Sequence, residues 1–90
     1  MKYVYVLIEE GSWDYEPSSD VEIFDTFAKA LAEFKDKVEQ VKEDMAEWID
    51  NAVCKQTIDE AKEYANFKTY EDGDFTRLHD TVTIEKKEVK

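Results

Sequence analysis

Apolar positions begin the chain as an unbroken run, "YVYVLI" at 3–8, which Glu9 and Glu10 end. β-Branched and aromatic residues with both faces apolar predict a strand, closed by Gly11 and central in its sheet. Residues 10–19 carry Gly11, Pro17, Ser18 and Ser19 and read as a turn region. "DVEIF" then alternates Val21 and Ile23 against Glu22, a second, short strand. The two strands are expected to be antiparallel neighbours joined by the acidic loop.

Asp25-Thr26 is a helix-start signal, because either side chain can accept a hydrogen bond from the first-turn amides. From there Phe27, Leu31, Phe34, Val38, Val41, Met45, Trp48 and Ala52 recur at alternating spacings of four and three. That is one apolar seam, and it predicts a single helix nearly ~40 Å long. Two partners for the seam compete: the sheet, or a second copy in a coiled coil. Strands that need covering favour the sheet, and with it a monomer. "TIDE" at 57–60 has the pattern of a capping box and predicts a short second helix through Tyr64, with Ile58, Ala61 and Ala65 on one side.

Asp72-Gly73 is a hairpin signal, since a type I′ turn needs positive φ at both central residues. A two-residue loop there places Tyr70 opposite Phe75 and Thr69 opposite Thr76. "TVTIEKKEV" predicts a last strand with Val82 and Ile84 on one face, its lysines and glutamates suiting a sheet edge. The expected fold is α+β: an antiparallel sheet of four or five strands in the order β-β-α-α-β-β. One long and one short helix lie on one face, and residues 1–90 form a single domain.

The opening "YVYVLIEEG" followed by "VEIFDTFAKALAEF" resembles small proteins carried by bacteria, phages and other mobile elements. Those have a first strand, an acidic loop, then a strand ending in Phe-x-Thr before an Ala-containing helix. The resemblance covers about the first 35 residues. It implies no activity.

Charge changes the picture more than any motif does: 23 acidic against 12 basic residues, net −11. That field repels nucleic acid and anionic membranes and favours basic partners or plain solubility. The apolar opening run is too short for a signal peptide or a membrane span, and the single cysteine, Cys54, permits no intrachain disulfide. A cytoplasmic protein is expected.

Chemistry is sparse. His79 beside Asp80 suggests a general base, but neighbours on a strand diverge, and a turn or strand end is the expected setting. Cys54 has acidic flanks, the wrong field for a thiolate, and is expected to fill space at the end of the long helix. "EDGD" at 71–74 lacks the ligand spacing of a calcium loop. No catalytic residue, metal site or cofactor is expected.

The acids are not scattered. On the long helix Glu33, Asp36, Gln40, Glu43, Glu47 and Asp50 fall on the outward stripe, while Lys35, Lys37 and Lys42 flank the seam. Like charges at i,i+3 and i,i+4 cost a few tenths of a kcal/mol per pair, so stability alone would mix the signs. In the acidic loop, Trp13 and Tyr15 are two apart and point the same way in extended backbone. A lid over the core is the expected role of Trp13; for Tyr15, lid and interface anchor both stand. Candidate protein-binding residues are therefore Tyr15, Glu33, Asp36, Glu43, Glu47 and Asp50. The expected function is a non-enzymatic module that binds a basic protein surface. Second comes a nucleic-acid mimic that inhibits a nuclease or other DNA-binding protein, and third a small enzyme around His79.

Overall fold

The computed structural model describes residues 2–13, 16–48, 52–71 and 74–89, with side-chain detail outside 12–18, 48 and 71–78. The elements run β1 (Lys2–Trp13), β2 (Glu16–Phe24), α1 (Phe27–Trp48), β3 (Ala52–Asp59), β4 (Tyr64–Glu71) and β5 (Asp74–Val89). All five strands join one antiparallel sheet in the order β2-β1-β5-β4-β3. The α+β class and the central place of the first strand are as the pattern predicts. Among the described residues the element order is β-β-α-β-β-β, with one helix.

β1 does not stop at Gly11 but pairs with β2 as far as Trp13↔Glu16, so the acidic segment is mostly ladder. α1 starts where the cap predicts. Thr26 Oγ1 accepts the Lys29 amide at 3.2 Å, and the Thr26 carbonyl takes the Ala30 amide at 3.2 Å. Asp25 adds an ion pair to Lys29 at 3.0 Å, which holds its carboxyl below the ordinary range.

The seam packs on the sheet. Leu31, Phe34, Val38, Val41 and Met45 are buried with Tyr5, Leu7, Ala65, Phe67, Val82 and Ile84 in one core cluster. The helix ends at Trp48, shorter than the pattern implies, and Ala52 belongs to β3. The strands under it alternate as half-buried strands should, Leu7, Val82, Ile84, Ala65 and Phe67 facing α1.

Three expectations are corrected. The second helix does not form, because 52–59 is the edge strand β3 and Ile58 pairs with Ala65 across the β3–β4 ladder. The local signal survives as one turn. Asp59 Oδ1 accepts the Lys62 amide at 3.1 Å and the Glu60 carbonyl accepts the Glu63 amide at 3.2 Å. Glu63 then adopts φ 53°, the left-handed region that ends a helical turn. Second, β5 is the middle strand and not an edge; only beyond Ile84 does it outrun its pairing with β4. Its charged end, 85–88, lies along that overhang, which is why an edge-like composition tolerates a central place. Third, the hairpin closes at Glu71↔Asp74 as the Asp-Gly signal requires, but Tyr70 pairs with His79 and Thr69 with Asp80. Residues 75–78 intervene on β5, so the two-residue turn does not set the register of the rest of the ladder.

Glu63 ties the new turn to the centre of the sheet. Its carboxylate accepts the Tyr5 hydroxyl at 2.5 Å and pairs with Lys86 Nζ at 2.8 Å, and Lys86 lies 4.3 Å from the centre of the Tyr3 ring. The hydrogen bonds from Lys86 and then Tyr5 lower the Glu63 pKa. Hydrogen bonding to Glu63 raises the pKa of both Lys86 and Tyr5. A lowered carboxylate stabilises the fold above its unfolded pKa and stops doing so as pH falls through its folded value. A raised lysine or tyrosine stabilises below its unfolded pKa, and that contribution is lost as pH rises through the folded value. Glu63→Gln should therefore lower the melting temperature at neutral pH. The gap to the wild type should close below about pH 4 and narrow above about pH 10. A gap that does not vary with pH would show that the cluster contributes no linkage.

Candidate functional site

Two surfaces of contrasting charge result from this architecture. The first is the outward side of α1. Asp36, Gln40, Glu43 and Glu47 are exposed and Glu33 is partly buried, while Asp50 and Tyr15 lie outside the described residues. Trp13 is placed in β1, but its side chain, and with it the lid reading, also lies outside what is described. Glu39 is exposed as well, three residues after Asp36 and four before Glu43. Asp36, Glu39, Glu43 and Glu47 thus make one line of i,i+3 and i,i+4 neighbours. Reading positions strictly as a heptad assigns Glu39 to a flank; a helical wheel at 100° per residue places it on the stripe.

Two of the helix lysines are engaged elsewhere. Lys37 is largely covered and lies 3.4 Å from Asp20 and 3.9 Å from Glu22, on the β2 side of the sheet. Burial works against its charge, but Glu22, Glu9 and Asp20 outweigh it, and its pKa is raised. Lys42 lies 5.8 Å from the Phe67 ring centre. Lys29, Lys86 and Lys87 pair with Asp25, Glu63 and Glu85. Among the described residues no ion pair involves Asp36, Glu39, Glu43 or Glu47.

The second surface is the face of the sheet that α1 does not cover. Alternation places Val4, Val6 and Ile8 there with Val21 and Ile23, which are 56% and 67% exposed. Across β5 and β4 the same face carries Thr83 bonded to Asn66 Nδ2 at 2.8 Å, then Thr81, Lys68, Tyr70 and His79. Its described charges nearly balance: Lys2, Lys55, Lys68 and Lys87 against Glu10, Asp59 and Glu85. Lys55, Lys68, Tyr70, His79 and Thr81 border an open cavity of about 670 Å³. A smaller hollow of about 150 Å³ beside Ile8, Glu10, Thr81, Thr83 and Glu85 adjoins it.

His79 and Asp80 do diverge, as neighbours on a strand must. They lie within β5, not at a turn or strand end, with His79 on the open face and Asp80 buried towards the helix side. Cys54 is exposed on β3, not packed at the helix end, and its Sγ lies 3.4 Å from Thr69 Oγ1 on the paired strand. The side chains of "EDGD" lie outside the described residues. No helix is long and apolar enough to cross a membrane among the described residues.

Cys54, Thr69, Asp80 and Gly11 form one row across four strands on the helix side. Gly11 is there because the row is crowded. A Cβ at that position would sit 3.1 Å from Asp80 Oδ2 and 3.2 Å from the His79 carbonyl oxygen. Glycine serves close approach here, not a turn.

Fold and surface together define a small acidic α+β chain with one helix-covered and one open sheet face. No family model, curated protein or solved structure matches the chain.

The crowding at Gly11 has a measurable consequence. Gly11→Ala forces Asp80 or the β5 backbone to shift and should cost about 1–3 kcal/mol in denaturant melts. A loss below about 0.5 kcal/mol, the level of an indifferent surface change, would mean that Asp80 moves aside freely.

Proposed function

We propose that the chain is a non-enzymatic interaction module whose acidic helix face binds a basic protein surface. One observation carries this reading: the line Asp36, Glu39, Glu43 and Glu47, without an ion pair among the described residues, on a helix whose Lys37 and Lys42 are engaged on the sheet side. Carboxylates three and four residues apart are spaced about 4.5–6 Å along the axis. Their mutual repulsion weakens the helix, so the arrangement is more economical if something basic neutralises it. Glu33 adjoins this line, and Tyr15 and Asp50 stay candidates on the sequence alone. A protein of this kind, in the cytoplasm and acting as a monomer, needs no cofactor.

A second reading keeps the same surface and sharpens the partner. A row of carboxylates at helical spacing can stand in for phosphates towards a nuclease or other DNA-binding protein. The resemblance of the first 35 residues to proteins of phages and mobile elements favours this form.

Wild type and the variant Asp36→Asn, Glu39→Gln, Glu43→Gln, Glu47→Gln would be compared as baits in lysate, with captured proteins identified and their association kinetics measured. The wild type should retain basic proteins at about 0.1 M salt and release them near 1 M, where the Debye length falls from ~10 Å to ~3 Å. The variant should associate at least about tenfold more slowly and remain folded. For the mimic, DNA or RNA should compete for the captured partner. Equal capture by both baits at both salt concentrations would reduce the acidic face to a solubility device.

A further inference from the structure

The open sheet face contains an arrangement that the acidic helix does not explain. Lys55 and Lys68 are directly opposite each other across the β3–β4 ladder. Directly opposed side chains stand with Cβ atoms about 4.5–5.5 Å apart, and like charges there destabilise a sheet. Their neighbours on the same face do not relieve this: Val53 and Thr57 flank Lys55, Asn66 and Tyr70 flank Lys68, and Thr81 is opposite Lys68. Among the described residues neither lysine is in an ion pair. In a chain with 23 acidic residues, two adjacent ammonium groups without a carboxylate between them are poorly explained by folding alone.

Both lysines border the cavity of about 670 Å³ with Tyr70, His79 and Thr81; Thr69 and Asp80 also line it, and the Asp80 carboxylate is turned to the helix side, beside Gly11. That volume falls in the range of small-molecule sites, ~300–1,000 Å³, and is too large for a bare inorganic anion. His79 Nδ1 is buried and has no hydrogen-bond partner among the described residues. Glu10 and Glu85 border the adjoining hollow on the far side of Thr81.

We propose that this cavity binds a small organic dianion of the phosphate monoester class. The phosphate group takes charge-assisted hydrogen bonds from Lys55 and Lys68, and a planar organic body lies along Tyr70 and Thr81 towards His79. Two ammonium groups suit a dianion better than a single carboxylate. The bound anion also removes the Lys55–Lys68 repulsion, so binding and sheet stability are coupled. This site lies on the opposite face of the sheet from α1 and does not depend on the acidic helix being an interface.

The test is a titration of the ¹⁵N-labelled protein with phenyl phosphate, inorganic phosphate and benzyl alcohol, alongside calorimetry. Phenyl phosphate should shift the amides of residues 68–70 and 79–81 saturably, inorganic phosphate the same amides at higher concentration, and benzyl alcohol none. Lys68→Gln should weaken phenyl phosphate about tenfold, the size of one charge-assisted hydrogen bond. Lys62→Gln, on the β3–β4 turn, should leave affinity unchanged. Lys55→Glu separates ligand binding from a structural role: it should raise the melting temperature by converting repulsion to attraction, and abolish binding. No saturable shift up to about 10 mM phenyl phosphate, beyond the range of a millimolar ligand, would overturn the proposal. So would affinity retained in Lys55→Glu, or an equal loss in Lys62→Gln.

Discussion

One helix has to cover a five-stranded sheet, and most of the molecule follows from that mismatch. Four inter-strand spacings of about 4.8 Å make the sheet roughly 19 Å wide. A helix with its side chains is only about 10–12 Å across. It can cover three strands, and those are β1, β5 and β4, whose Leu7, Val82, Ile84, Ala65 and Phe67 are fully buried with Phe34 and Met45. The outer strands contribute only partly buried residues, Phe24 from β2 and Ala52 and Ile58 from β3. On those strands the helix-side positions can therefore be polar, as Glu22, Cys54 and Gln56 are. Lys37 reaching over to Asp20 and Glu22 closes one flank where apolar cover runs out.

Because the core is confined to the middle of one face, polar contacts hold its two ends. At one end Glu63 joins the β3–β4 turn to Tyr5 and Lys86 and so connects residues 58 positions apart in sequence. Its left-handed backbone is unfavourable for glutamate, and the two side-chain partners compensate. At the other end the row Cys54, Thr69, Asp80 and Gly11 extends the helix-side surface past the apolar layer, with glycine leaving room for the Asp80 carboxylate. These contacts select a register more than they add burial. Sliding β5 by one residue would bring Asp80 to the open face and His79 under the helix.

What the chain made legible was local. The seam from Phe27 to Met45 and the Thr26 cap could be read because both repeat or act within a few residues. The pairing of Glu71 with Asp74 could be read for the same reason. The failures share a non-local cause. Thr57 to Glu60 has a helix-start pattern, yet Val53, Thr57 and Ile58 are equally good strand residues, and pairing with β4 decided between them. The interval 75–78 displaced the β4–β5 register by four residues, which no propensity at Asp72-Gly73 could report. The charged tail of β5 read as an edge because composition does not reveal that β1 pairs with it from Lys2 onwards. Among candidate binding residues the helical acids were accessible to a wheel, and only Glu39 was missed. The Lys55–Lys68 pair was invisible, since it exists only once β3 is a strand in this register.

Charge is divided by the same geometry that divides the core. α1 is amphipathic, so its seam faces the sheet and its acids face water; lysines near the seam are drawn to Asp20, Glu22 and the Phe67 ring. No second helix covers the other side of the sheet among the described residues, and Lys55 and Lys68 stand there opposite each other. Salt in the solvent screens each surface beyond about a Debye length, so each is felt mainly by a molecule close to its own side. A basic macromolecule approaching the molecule is drawn by the net −11 field to the helix side. A small anion meets repulsion at a distance and attraction only inside the concavity, within about a Debye length of the two ammonium groups. On the proposed reading, two partners of opposite charge would be distinguished by which face of the sheet they approach, because α1 covers one face and leaves the other open.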